Sequence, residues 1–159
     1  MTTGALPFRF KGASFLGVSI FSALVARSPV APAQISKCDT SPLIRAEPPR
    51  DPNADRFGDG PWYVNDGRTI WAGWDAGRWH AGRNKALWIR PAGAQLKIDG
   101  ERIDGAAPPL GTTIRCCYPT GFQATALIFP TGGCWRVHAT AGDQELTFVT
   151  SVSPTPSRP

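Results

Sequence analysis

Residues 129 to 152, FPTGGCWRVHATAGDQELTFVTSV, switch between apolar and polar side chains with a period of two. That alternation confines this part of the chain to paired, half-buried strands. Trp135, Val137 and Ala139 alternate with Arg136, His138 and Thr140, and after a turn at Ala141-Gly142-Asp143-Gln144 the apolar side resumes at Leu146, Phe148 and Val152. A strand pair with one dry face must bury it against a second layer, so the segment predicts the closing hairpin of a β-sandwich.

The start of the chain reads as an address. Arg9 and Lys11 precede an apolar run from Ala13 to Ala26, and Ala31-Pro32-Ala33 offers small residues for cleavage after Ala33. The run holds 14 residues, short of the roughly 20 that cross a membrane as a helix. The expectation is a signal peptide over 1–33, a mature chain from Gln34 without a transmembrane span, and a secreted or periplasmic location. Cys38 does not mark a lipoprotein, because Ile35-Ser36-Lys37 precedes it rather than small residues at the end of the apolar run.

Cleavage changes the meaning of the charge. The mature chain loses three of 17 basic residues, Arg9, Lys11 and Arg27, and none of the 12 acidic ones, so the net charge falls from +5 to +2. A basic footprint for nucleic acid is therefore not expected. The remaining 126 of 159 residues suit one domain with one modest core. All four cysteines, Cys38, Cys116, Cys117 and Cys134, follow the signal and are expected to form disulfides in an oxidising compartment, with three connectivities open. No Cys-x-x-Cys spacing supports a structural zinc.

Prolines 42, 48, 49, 52 and 61 make residues 34–61 an extended arm that needs an anchor, and Cys38 is placed to supply one. Trp62 to Trp79, WYVNDGRTIWAGWDAGRW, reads as a hairpin about Asn65-Asp66-Gly67, with Gly73 inviting a bulge between Trp71 and Trp74. Ala86-Leu87-Trp88-Ile89 is a continuous apolar run, the mark of a central strand covered on both faces. Leu96 to Ile103 reads as fragments broken by turns at Asp99-Gly100 and Asp104-Gly105, and 112–118 and 122–129 as two further strands. The fold expectation is an all-β, antiparallel sandwich of about seven to eight strands over 62–152, with a disordered tail over 153–159.

No residue set spells out a reaction, so no enzyme and no cofactor is expected. Ser36, Ser41, Ser151, Ser153 and Ser157 lie in the arm or near the C-terminus, away from any nucleophile-elbow pattern. Asp75, Asp99, Glu101 and Asp104 mostly occupy predicted turns, where local backbone bonds explain them. The mature chain has two histidines, His80 and His138, and no methionine, so a blue-copper site lacks its ligands. Two features stand out. Trp62, Trp71, Trp74 and Trp79 crowd into 18 residues, and their indoles either fill the core or form a candidate surface for a glycan or a protein. Cys116-Cys117 are either two structural cysteines or a strained vicinal pair. The two features give a leading reading, an envelope binding module acting through the Trp-rich hairpin, and an alternative, a redox- or metal-linked protein using Cys116 and Cys117 with a histidine.

Phe-Pro-Thr-x-Gly-Cys-Trp, followed by a Gly-Asp turn and Leu-Thr-Phe-Val, spans Phe129 to Val149, and Gly121-Phe122-Gln123 precedes it. Together with Trp62-Tyr63-Val64-Asn65-Asp66 and LKIDGERIDGAAPPL at 96–110, these residues resemble a family of uncharacterised bacterial exported proteins with a small immunoglobulin-like sandwich. Val64 departs from the glycine of that family, as does the cysteine doublet. The resemblance implies an immunoglobulin-like fold and an exported location. It also implies that Cys38 of the arm pairs with Cys134, leaving Cys116 and Cys117 for each other or unbonded.

Overall fold

The structure, a computed structural model, describes residues 38–50, 59–74, 78–116 and 118–154. The expected signal peptide, Asp75, Cys117 and residues 155–159 of the expected tail lie outside the described residues. Within them the chain is all-β: there is no helix, and hence none long and apolar enough to cross a membrane.

Among the described residues nine strands form two sheets: β1 (Tyr63–Val64), β2 (Trp71–Trp74), β3 (Trp79–His80), β4 (Gly82–Ile89), β5 (Leu96–Arg102), β6 (Gly111–Ile114), β7 (Phe122–Phe129), β8 (Gly133–Ala141) and β9 (Gln144–Ser153). The first sheet has the order β1-β2-β4-β7-β6, and the second β3-β9-β8-β5. Every pairing is antiparallel except β3 with β9, which is parallel. The closing hairpin pairs from Gly133↔Val152 to Ala141↔Gln144, with Gly142 at a positive φ of 65° in the turn. Trp135, Val137, Ala139, Leu146, Phe148 and Val152 are buried, as their alternation predicts.

The core lies between the sheets. Trp88 on central β4 is fully buried and donates its indole N–H to Thr125 Oγ1 at 2.9 Å, which satisfies the one polar atom that so large a side chain brings inside. Tyr63 of the first sheet stacks on Phe148 of the second, ring centroids 4.1 Å apart, and donates its hydroxyl to Thr150 Oγ1 at 3.0 Å.

The turn of the Trp-rich hairpin forms because Asn65 Oδ1 accepts from the backbone N–H groups of Thr69 and Ile70 at 2.8 and 2.9 Å. Two local expectations are corrected. The pairing of β2 with β4 runs unbroken from Trp71↔Ile89 to Trp74↔Ala86, so Gly73 makes no bulge. Its role is clearance: a Cβ at Gly73 would lie 2.6 Å from the Trp62 ring. Asp99-Gly100 is likewise no turn, because β5 pairs with β8 through Asp99↔His138 and Gly100↔Val137. A glycine sits there because a Cβ would come within 2.8 Å of the Arg136 carbonyl oxygen and against Leu110.

The arm straps one side of the sandwich. Cys38 is disulfide-bonded to Cys134 at the start of β8, Ser41 N–H donates to Val149 O at 2.9 Å, and Ile44 pairs with Trp62 through bonds of 2.8 and 2.9 Å. It thus ties the second sheet to β1 of the first. On the outer face of the first sheet, Trp62, Trp71 and Ile89 form a second small core that also takes in Ala46 of the arm. The opposite side, where edge strands β5 and β6 lie near each other, has no such strap among the described residues.

A cationic groove between two sheet edges

The tryptophans expected as a ligand surface are packing residues. Trp62, Trp71 and Trp79 are 3, 2 and 2% exposed, and Trp74 is half-buried. Strand alternation divides them between two layers. Trp71 points outward and meets Trp62 edge-on at 6.4 Å, while Trp74 points inward between Tyr63 and Trp79, 5.7 and 5.1 Å from their rings. Trp71 Nε1 donates to Arg68 O at 2.8 Å. The outer indoles are covered by the arm and the inner ones by the second sheet, so the hairpin does not present the four together.

The second candidate set is dispersed as well. Cys116 is exposed and not disulfide-bonded. His80 sits on β3, with Nδ1 2.9 Å from Ala81 O. His138 lies on the outer face of β8 between Asp99 and Glu145, 3.5 Å from each. Among the described residues no three His, Cys, Asp or Glu side chains gather as a metal ion would need.

What the fold does form is a groove of about 540 Å³ on the unstrapped side. Residues 93–98, leading into and along β5, make one wall, and Ile114, Arg115, Cys116 and Tyr118 make the other. Leu96, Ile98 and Ile114 give it an apolar floor. Arg90, Lys97 and Arg115 give it charge, and among the described residues no carboxylate lines it. The volume falls in the usual range for a ligand cleft, about 300–1,000 Å³.

Arg90 is the unusual member. It follows the apolar strand β4, and the run carries it inward, so its side chain is 4% exposed. Its Nε donates to Gln123 Oε1 at 2.9 Å, Nη1 to Pro91 O at 2.9 Å and Nη2 to Tyr118 O at 3.1 Å. Gln123 Nε2 in turn donates to Arg115 O at 2.6 Å, so the guanidinium and Gln123 together tie down the backbone at Arg115 and Tyr118. No carboxylate among the described residues is within ion-pair distance of Arg90. All its partners are neutral dipoles, and burial pushes its pKa down. An arginine keeps its proton regardless, so a positive charge stays there, held by neutral acceptors.

These groove residues carried one signal in the sequence, a charged residue ending a doubly buried strand at Arg90. Lys97 and Arg115 carried none, since their meeting depends on edge strands of different sheets. No protein-family model and no curated protein sequence matches the chain.

Proposed function

We propose that this chain is an exported, non-enzymatic sandwich module of the immunoglobulin-like kind that binds a carboxylate-bearing ligand at the cell envelope, in the groove between β5 and β6. The observation that carries this reading is the lining: among the described residues it holds three cations, one of them buried without a counter-ion, and no acid. In a cleft with low-dielectric walls, like charges focus the field on an incoming anion. The Cys38–Cys134 bond supports an oxidising compartment, and the resemblance to exported bacterial sandwich proteins supports the same location.

The test is a titration with sodium glutamate followed by backbone amide shifts. At low salt, resonances of residues 94–98 and 114–118 move together. The effect weakens as the Debye length shrinks from about 30 Å at 0.01 M salt to about 10 Å at 0.1 M. Absent shifts, or shifts scattered over the surface, overturn the reading. A redox role for Cys116 has one observation in its favour, an exposed thiol on the rim of the same groove. Native-state alkylation tests it.

A further inference from the structure

We infer that the ligand of this groove is an extended acidic peptide that adds as a fifth strand to the open edge of β5. The inference rests on the groove reading above and names its ligand class.

The backbone supplies the first argument. In an antiparallel ladder, residues alternate between pairs that exchange both hydrogen bonds with the partner and pairs whose N–H and C=O point away from it. On β5 the parity is set by two bonds: Gly100 O accepts from Leu110 N–H on the side away from β8, and Ile103 N–H donates to Cys134 O of β8. Lys97, Asp99 and Glu101 therefore bond to β8, while Leu96, Ile98 and Gly100 turn their backbone groups to the open edge. The connection to β6 occupies Gly100 through Leu110. Among the described residues the N–H and C=O groups of Leu96 and Ile98 have no backbone partner there, and both residues line the groove. An open edge of this kind is a template for an incoming strand.

The charge supplies the second. A strand laid along β5 runs about 4.8 Å from it, within the groove, and comes under Arg115 on the opposite wall and Lys97 on β5. Alternate side chains of such a strand face opposite sides of the sheet, so carboxylates at every second position lie on the exposed face with Lys97 while the intervening side chains cover Leu96 and Ile98. Arg90 has five N–H donors, of which three are assigned to protein acceptors. Lysine on an edge strand discourages indiscriminate pairing, and here it selects for acids.

The experiment titrates the full mature chain with five probes: glutamate, an acetylated Thr-Glu-Thr-Glu-Thr-Glu amide, the two forms of that peptide N-methylated at one or the other set of alternate amides, and a soluble polyuronate. The peptide is expected to bind at least about tenfold more tightly than glutamate and to slow hydrogen exchange at the Leu96 and Ile98 amides. One of the two N-methylated forms is expected to lose that gain. If both N-methylated forms bind like the parent, or Leu96 and Ile98 exchange unchanged, strand addition is wrong while the groove reading stands on the glutamate shifts. Polyuronate binding as tightly as the peptide assigns the groove to a glycan and overturns the peptide. A β5-dependent dimer in sedimentation, relieved by Ile98→Pro, assigns the edge to a second copy and overturns it too. Failure of glutamate itself removes the groove reading beneath.

Discussion

Replacing Cys38 and Cys134 together by alanine should cost this domain a large part of its stability without dissolving the sandwich. The bond closes a loop of 96 residues of sequence separation, and the chain-entropy relation gives about 4.7 kcal/mol for that length, with measured values typically about 2–4. Native domains have only about 5–15 kcal/mol in hand. At about 2.1 cal/mol/K per residue of unfolding entropy, each kcal/mol shifts the Tm of a chain this size by about 4 °C, so a fall of roughly 8–19 °C is expected. The core between the sheets does not include the arm, whose other ties among the described residues include the Ser41–Val149 bonds, the Ile44–Trp62 bridge and the packing of Ala46 on Trp62, Trp71 and Ile89. Urea unfolding should therefore show a lower midpoint, and hydrogen exchange should quicken first at the amides of Ser41 and Val149. A loss under about 1 kcal/mol, or exchange that quickens equally in β4 and β7, would refute the strap.

Gly73→Ala puts a Cβ 2.6 Å from the Trp62 ring and is expected to destabilise by about 1–3 kcal/mol, as overpacking does; thermal melts and Trp62-sensitive near-ultraviolet dichroism check it. Asp104 accepts from Arg102 Nε at 2.6 Å, and that bond holds its carboxyl below the ordinary carboxylate range. Its contribution is complete above the unfolded value of about 3.9 and is lost as pH falls through the lower folded value, so stability should drop on acidification. Asp104→Asn should flatten that acid limb in urea unfolding followed from pH 6 to about pH 3. Cys116 should take iodoacetamide in the native, unreduced protein, read by peptide mass, because its thiol is exposed and unbonded; resistance to alkylation would place it in a disulfide.

Fold class was open to reading because strand alternation is a local property. The period of Trp135 to Ala139 and the apolar run around Trp88 announce one buried face and two covered faces respectively, and both strands lie where the pattern puts them. Gly73 and Gly100 misled for one reason. Glycine marks either a turn or a close approach, and the approaching groups, the Trp62 ring and Leu110, come from elsewhere in the chain. The tryptophan crowding misled because the arm that covers Trp62 and Trp71 has no hydrophobic period of its own. The groove was invisible for a geometric reason: β5 and β6 meet only because they are the last strands of two separate sheets.

Anion binding by this domain depends on the charge of that groove. Lys97→Glu with Arg115→Glu reverses two cations of its lining that take no part in the buried network through their side chains, leaving Arg90 and Gln123 in place. Calorimetric titration of wild type and double variant with the same acidic peptide is the direct measurement, with circular dichroism to show that both are folded. Binding by the wild type and none by the folded variant is the predicted result. Equal affinity in the two would contradict the account.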